Sequence, residues 1–162
     1  MPRILIVYST RAGSTAHVAN LLSNQFRTLG HDVGVASASA DPAPNGEDLF
    51  VVGSGILASH WNKEALDWLR EHQRQLAGRV ALFNVCLTAQ DPARRDEALE
   101  FNAEACGIVA PLASQTFAGK FKPEKVGFAQ RLLLRAMRQK PQDHIDPAAI
   151  VGWARDLADA HL

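Results

Sequence analysis

A short polar segment near the N-terminus could bind an anion. Thr10, Ser14 and Thr15 supply hydroxyl groups, Gly13 permits a close approach of the backbone, and Arg11 adds a positive charge. The segment leads into an amphipathic helix, whose free N–H groups and dipole favour a phosphate at that end. Helix capping alone needs one hydroxyl side chain, so the segment favours phosphate binding over a capping role. The glycine patterns of the P-loop and of dinucleotide-binding folds are both absent.

Two later segments, residues 54–61 and 84–90, also follow apolar runs and hold side chains that could act on a ligand. Trp61 could stack on a flat ligand, or it could pack at the start of the next helix. His60 could donate a proton, although a surface histidine is the simpler interpretation. Cys86 has no visible resolving partner, so we expect it to pack rather than to act as a redox thiol. For Arg11, charge neutralisation of a phosphate and extension into solvent remain equal alternatives.

The elements that must position these segments alternate between strand and helix. Short apolar runs predict strands, and apolar residues at helical spacing between them predict helices, which is typical of βαβ units. The predicted strands cover residues 3–8, 33–36, 48–53, 79–85 and 107–113, and two last helices cover residues 123–139 and 147–161. This pattern predicts an α/β fold, a doubly wound parallel sheet with helices on both faces. Ligands of such sheets bind beyond the carboxyl ends of the strands, where the three polar segments would meet.

Residues 6–15 resemble the FMN-phosphate signature of the flavodoxin-like family, and every constrained position of that signature is met. The resemblance implies a flavodoxin-like sheet of order 2-1-3-4-5 and non-covalently bound FMN. Its phosphate would lie in the first segment, and the second and third segments would flank the isoalloxazine ring. The residues that the resemblance assigns to the cofactor are Thr10, Arg11, Ala12, Gly13, Ser14, Thr15, Ser54, Gly55, Ile56, Leu57, Trp61, Asn84, Val85, Cys86, Leu87 and Thr88.

Within that family the chain is similar to the menaquinone-dependent protoporphyrinogen dehydrogenases. The similarity rests on three motifs: Ser-Thr-Arg-x-Gly-x-Thr at residues 9–15, small residues and Ile before His60-Trp61, and the third segment from Asn84. Leu57 and Ala58 stand where the group has an Arg-Tyr pair. The resemblance implies an FMN-dependent oxidoreductase that passes electrons from a reduced flat substrate to a quinone, with no catalytic side chain or metal. The alternatives are a flavodoxin-type carrier that shuttles electrons between protein partners, and a binding module without flavin.

Composition limits the remaining possibilities. The 162 residues are 47% hydrophobic and 21% charged with a formal net charge of zero, which excludes extended disorder and gives no indication of nucleic-acid binding. Two cysteines do not make a disulfide framework, and no run is long enough for a signal peptide or a membrane span. We therefore expect one cytoplasmic domain over residues 1–162.

Basic residues are concentrated between Lys120 and Lys140. This stretch holds seven basic residues and one acidic residue, Glu124; the basic ones are Lys120, Lys122, Lys125, Arg131, Arg135, Arg138 and Lys140. A solvated face of a sheet-covering helix explains most of this pattern. The alternative is a surface that contacts anionic lipid or an acidic partner, which would place the protein at the inner face of the membrane.

Overall fold

Parallel strands form the centre of the protein in a computed structural model, which describes residues 2–11, 13–121 and 142–162. The strands are β1 (Arg3–Ser9), β2 (Asp32–Ser37), β3 (Leu49–Leu57), β4 (His60–Trp61), β5 (Val80–Cys86), β6 (Ala113–Ala118), β7 (Lys120–Phe121) and β8 (Gln142–Asp143). Five of them pair in the order β2-β1-β3-β5-β6, all in parallel. β4 pairs antiparallel with the end of β3, and β7 pairs antiparallel with β8. The order is the predicted 2-1-3-4-5, with the short β4 added.

Helices cover both faces of this sheet. They are α1 (Ser14–Thr28), α2 (Lys63–Glu71), α3 (Gln73–Leu76), α4 (Arg95–Glu100), α5 (Ala103–Val109) and α6 (Pro147–His161). Side chains alternate along β1, so that Ile4 and Ile6 pack with α1 and α6 on one face. Leu5 and Val7 pack with α2 and α5 on the other face. The predicted doubly wound α/β fold is therefore confirmed.

The predicted fifth strand, residues 107–113, is wrong. The first part of that apolar run, residues 107–109, belongs to α5, whose Val109 is buried in the core. The helix ends at Ala110, which has a left-handed φ of 38°, and Pro111 follows and cannot donate to a strand ladder. The fifth parallel strand is β6, an edge strand, and its partly exposed position tolerates the polar residues that concealed it.

Some predictions lie outside the described residues. Ala12 is one, and the predicted helix of residues 123–139 with most of the basic stretch between Lys120 and Lys140 is another. The helix predicted for residues 147–161 is confirmed as α6, with Pro147 at its first turn and Asp146 as its cap. Within the described ranges, no helix combines the length and the apolar character that crossing a membrane requires.

Gly53 provides a test of how tightly the centre of the sheet is packed. It pairs with Phe83 across β3 and β5, and a Cβ at this position would overlap the buried Phe83 ring. We expect Gly53→Ala to lower the free energy of unfolding by about 1–3 kcal/mol, because Phe83 cannot move without disturbing its packing on Trp153. Urea denaturation monitored by circular dichroism measures the change.

Gly152→Ala is the matched control for that prediction. Gly152 lies inside α6, and an added Cβ there would meet no atom within 4 Å. Because alanine favours the helix, this substitution should raise the free energy of unfolding by about 0.5–1 kcal/mol. Equal effects of the two substitutions would contradict the packing described for β3.

Candidate cofactor-binding site

The turn between β1 and α1 presents the start of a 15-residue helix to a cleft. Gly13 precedes the helix with a left-handed φ of 92°, a conformation that suits glycine. Its N–H donates to Thr10 Oγ1 at 2.9 Å, which closes the turn. Because Gly13 has no side chain to cap the first turn, N–H groups at the start of α1 can serve a ligand. Ser14 and Thr15, the first two residues of the helix, line the cleft.

Arg11 in this turn is held by a carboxylate from α2. Its guanidinium lies 3.3 Å from Glu64 Oε1, and 57% of the Arg11 side chain is exposed. The other Glu64 oxygen accepts from Ser9 Oγ at 3.3 Å, and Ser9 Oγ accepts from Asn62 Nδ2 at 3.1 Å. Arg11 is therefore ion-paired with Glu64 and does not extend freely into solvent.

The cleft itself lies beyond the carboxyl ends of β1, β3 and β5 and has a volume of about 180 Å³. It is lined by Thr10, Arg11, Ser14, Thr15, Gly55, Ile56, Val85, Cys86, Leu87 and Gly119. Hydroxyl groups and the start of α1 border one part of it, and the aliphatic side chains border the rest. A Cβ on Gly119 would come within 3.0 Å of Val85 Cγ1, so glycine there keeps this wall open.

The second predicted segment, residues 54–61, forms a hairpin. β3 continues to Leu57, and Ala58 and Ser59 form a two-residue turn with φ values of 52° and 67° before β4. Two positive φ values are typical of the turns that suit the twist of a hairpin. Leu57 beside this turn is 55% exposed.

Ser54 supports the hairpin from inside. Its Oγ accepts from the Asn62 N–H at 2.9 Å and donates to the Gly55 carbonyl at 2.6 Å. The Ser54 side chain is fully buried, so it fixes the backbone next to Gly55 and does not face the cleft.

Trp61 does not lie at the surface of the cleft. It is 4% exposed, packs in the core of the α2 face, and donates its indole N–H to Asn102 Oδ1 at 2.8 Å. The stacking hypothesis for Trp61 therefore gives way to the packing alternative.

Asn84 is likewise a buried support rather than part of the lining. Its Nδ2 donates to the Ala98 carbonyl at 2.8 Å and to Asn102 Oδ1 at 3.0 Å, and its Oδ1 accepts from Thr116 Oγ1 at 2.7 Å. The amide of Asn84 thus fixes the end of β5 against β6 and the α4–α5 connection. Thr88, at the start of a short 3₁₀ turn, stands outside the residues that line the cleft.

Cys86 lines the cleft as a neutral thiol. The residue is partly buried, and its Sγ–H donates to Asn84 Oδ1 at 3.4 Å. Burial raises the pKa of the thiol, so the reactive thiolate is disfavoured at neutral pH. This environment agrees with a packing role beside a ligand.

Sequence reasoning missed three residues, Glu64, Asn102 and Gly119. Glu64 occupies the first turn of α2, where an acidic residue is ordinary, and only the tertiary structure brings it to Arg11. Gly119 directly follows β6, so a correct placement of the fifth strand would have put it at the carboxyl edge of the sheet. Asn102 was missed because a buried amide between two short helices has no local sequence signal.

The shape of the cleft fits an anionic group joined to a flat apolar ring. Donors at the start of α1 suit a phosphate, and the glycines at 55 and 119 leave room between the aliphatic walls. The chemistry of these groups is that of binding and orientation, since none of the lining residues is an activated nucleophile.

Comparisons with known proteins identify the family of this chain. The flavodoxin domain family model matches residues 5–147. A curated relative, protoporphyrinogen IX dehydrogenase [quinone] from Escherichia coli strain K12, is 29% identical over 96 residues, or 57% of this chain and 53% of the relative. The aligned region thus spans about half the length of that relative.

Solved structures show the same fold. Oxidised flavodoxin 2 from Bacillus cereus has a TM-score of 0.60 at 19% identity, with 98% of this chain and 99% of that chain covered. A short-chain flavodoxin associated with a bacterial microcompartment has a TM-score of 0.64 at 13% identity, with both chains fully covered. With most of its length matched by the family model, the chain belongs to the flavodoxin domain family, and its cofactor is FMN.

Proposed function

We propose that this chain is an FMN-dependent oxidoreductase that passes electrons from a reduced porphyrinogen to a quinone. One relative of the chain is named protoporphyrinogen IX dehydrogenase [quinone], and we extend the activity in that name to this chain. The structural observation that carries it is the cleft, in which an anion-binding turn adjoins aliphatic walls next to the exposed Leu57. Such apolar surroundings suit a flat substrate or a quinone better than they suit a charged protein partner.

In this proposal the phosphate of FMN is held by residues 10–15 at the start of α1. Gly55 and Ile56 of the hairpin and residues 85–87, which line the cleft, would border the ring system. Arg11 contributes positive charge near the phosphate while Glu64 sets its position.

Bound FMN supplies the two-electron and hydride chemistry, so the reaction requires no protein nucleophile. The chain's own residues bind and orient the cofactor and exclude water from one side of it. Ile56, Val85 and Leu87 provide the apolar surroundings, and the neutral Cys86 thiol adds no charge beside the ring. No side chain of this cleft is assigned a catalytic proton transfer.

The phosphate assignment is tested by Thr15→Val, which replaces a hydroxyl by a methyl group of similar shape. Thr15 is almost fully buried at the start of α1 and lines the cleft. Loss of one hydrogen bond to a charged phosphate should weaken FMN binding by about tenfold or more. Riboflavin, which lacks the phosphate, should bind both proteins equally, as measured by calorimetry on the apoprotein.

Thr28→Val is the matched control. Thr28 ends the same helix, where its hydroxyl donates to the Asn24 carbonyl far from the cleft. This variant should bind FMN and riboflavin as the unmodified protein does. Equal losses of FMN and riboflavin affinity in Thr15→Val would contradict a phosphate contact at that residue.

The reaction itself is tested under anaerobic conditions with the FMN-loaded protein. Protoporphyrinogen should bleach the visible flavin absorbance, and a soluble menaquinone analogue should restore it, with porphyrin fluorescence appearing in step. FMN free in solution at the same concentration is the control. Rapid reduction by a protein electron donor, with no response to protoporphyrinogen, would replace this proposal by the electron-carrier alternative.

A further inference from the structure

A second cleft lies beside the edge strand β6, next to the flavin cleft. Its volume is about 240 Å³, and its lining includes Gln90, Arg95, Thr116, Phe117, His144 and Asp146. Consecutive residues at the end of β6 line the two clefts. Ala118 lines the second cleft and Gly119 the flavin cleft, and consecutive Cα atoms are only about 3.8 Å apart.

Arg95 brings a positive charge to this second cleft. Its guanidinium donates to Gln115 Oε1, a neutral acceptor, and that same oxygen accepts from the Thr116 N–H at 3.0 Å. Within the ranges the structure describes, Arg95 forms no salt bridge. The neighbouring Arg94 differs, because both oxygens of Glu97 accept from it at 2.9 Å.

The acidic residue of the cleft is already engaged. Asp146 caps α6, and its Oδ1 accepts from the Ala149 N–H at 3.3 Å. Its negative charge therefore faces the positive end of the helix dipole. Arg95 is the permanently charged basic residue among those lining the cleft, and a guanidinium next to a neutral amide suits a carboxylate ligand.

We infer that the second cleft binds a carboxylate of a ligand whose ring system lies at the flavin cleft, and that Arg95 is the residue that recognises it. This inference rests on the proposed function and adds the residue that would recognise its substrate, a flat ring system with carboxylate arms. A porphyrinogen with propionate side chains has this chemistry. Arg95 selects acids over the corresponding esters, and Phe117 and Ala118 form the apolar wall that the arm passes.

The test compares a dicarboxylic porphyrin with its dimethyl ester. Protoporphyrin IX and its dimethyl ester are titrated into the FMN-loaded protein in the same dilute detergent, and binding is followed by porphyrin fluorescence. The unmodified protein should bind the acid more tightly than the ester. Arg95→Gln should weaken binding of the acid by about tenfold or more and leave the ester unchanged.

Arg94→Gln is the matched control, since it removes the same charge one residue away from the cleft. It should leave both affinities unchanged. FMN content and thermal unfolding of the variants verify that the fold is intact. In turnover with the porphyrinogen acid, Arg95→Gln should raise KM and leave kcat nearly unchanged, because the arm lies away from the reacting ring.

The outcomes separate this inference from the proposed function. Equal binding of acid and ester by the unmodified protein, together with porphyrinogen oxidation, overturns the carboxylate site and keeps the function. Equal losses in the Arg94 and Arg95 variants overturn it too, since they indicate a general charge effect. A protein that neither binds the porphyrin nor oxidises the porphyrinogen overturns both.

Discussion

The buried side-chain amide of Asn102 joins the parts of the chain that form the walls of the flavin cleft. Its Oδ1 accepts from Trp61 in the hairpin and from Asn84 at the end of β5. Its Nδ2 donates to Ser114 Oγ and to the Gln115 carbonyl in β6. Buried polar groups of this kind are costly when unpaired, so each of these contacts depends on the others. The two sides of the cleft are thereby held in one arrangement before any ligand binds.

The opposite end of the cleft is organised by charge and by free backbone groups. The start of α1 offers N–H donors and hydroxyls, and Glu64 holds Arg11 near them. A phosphate fits that end, while the aliphatic residues and Cys86 fit a ring. The cleft is therefore divided into a polar end and an apolar end. Leu57 follows Ile56 of the cleft lining and is an exposed apolar side chain.

Local patterns were sufficient to predict the turn between β1 and α1, whereas the order of the sheet was predicted from the resemblance to the flavodoxin-like family. β1 is a central strand buried on both faces, so its residues form a continuous apolar run before the turn, and α1 shows clear helical periodicity. β6 was misplaced because an edge strand carries polar residues, whereas the apolar end of α5 resembles a buried strand. Trp61, Asn84 and Glu64 could not be assigned from sequence, because their roles depend on partners 18 to 53 residues away.

We propose that FMN binds with its phosphate at the start of α1 and its ring between the hairpin and the end of β5. A crystal structure of the FMN complex tests it most directly. We expect phosphate oxygens within hydrogen-bonding distance of the backbone and hydroxyl groups of residues 10–15, and the ring against Ile56 and Leu87. FMN bound in the cleft beside β6, or a phosphate away from α1, would contradict the account.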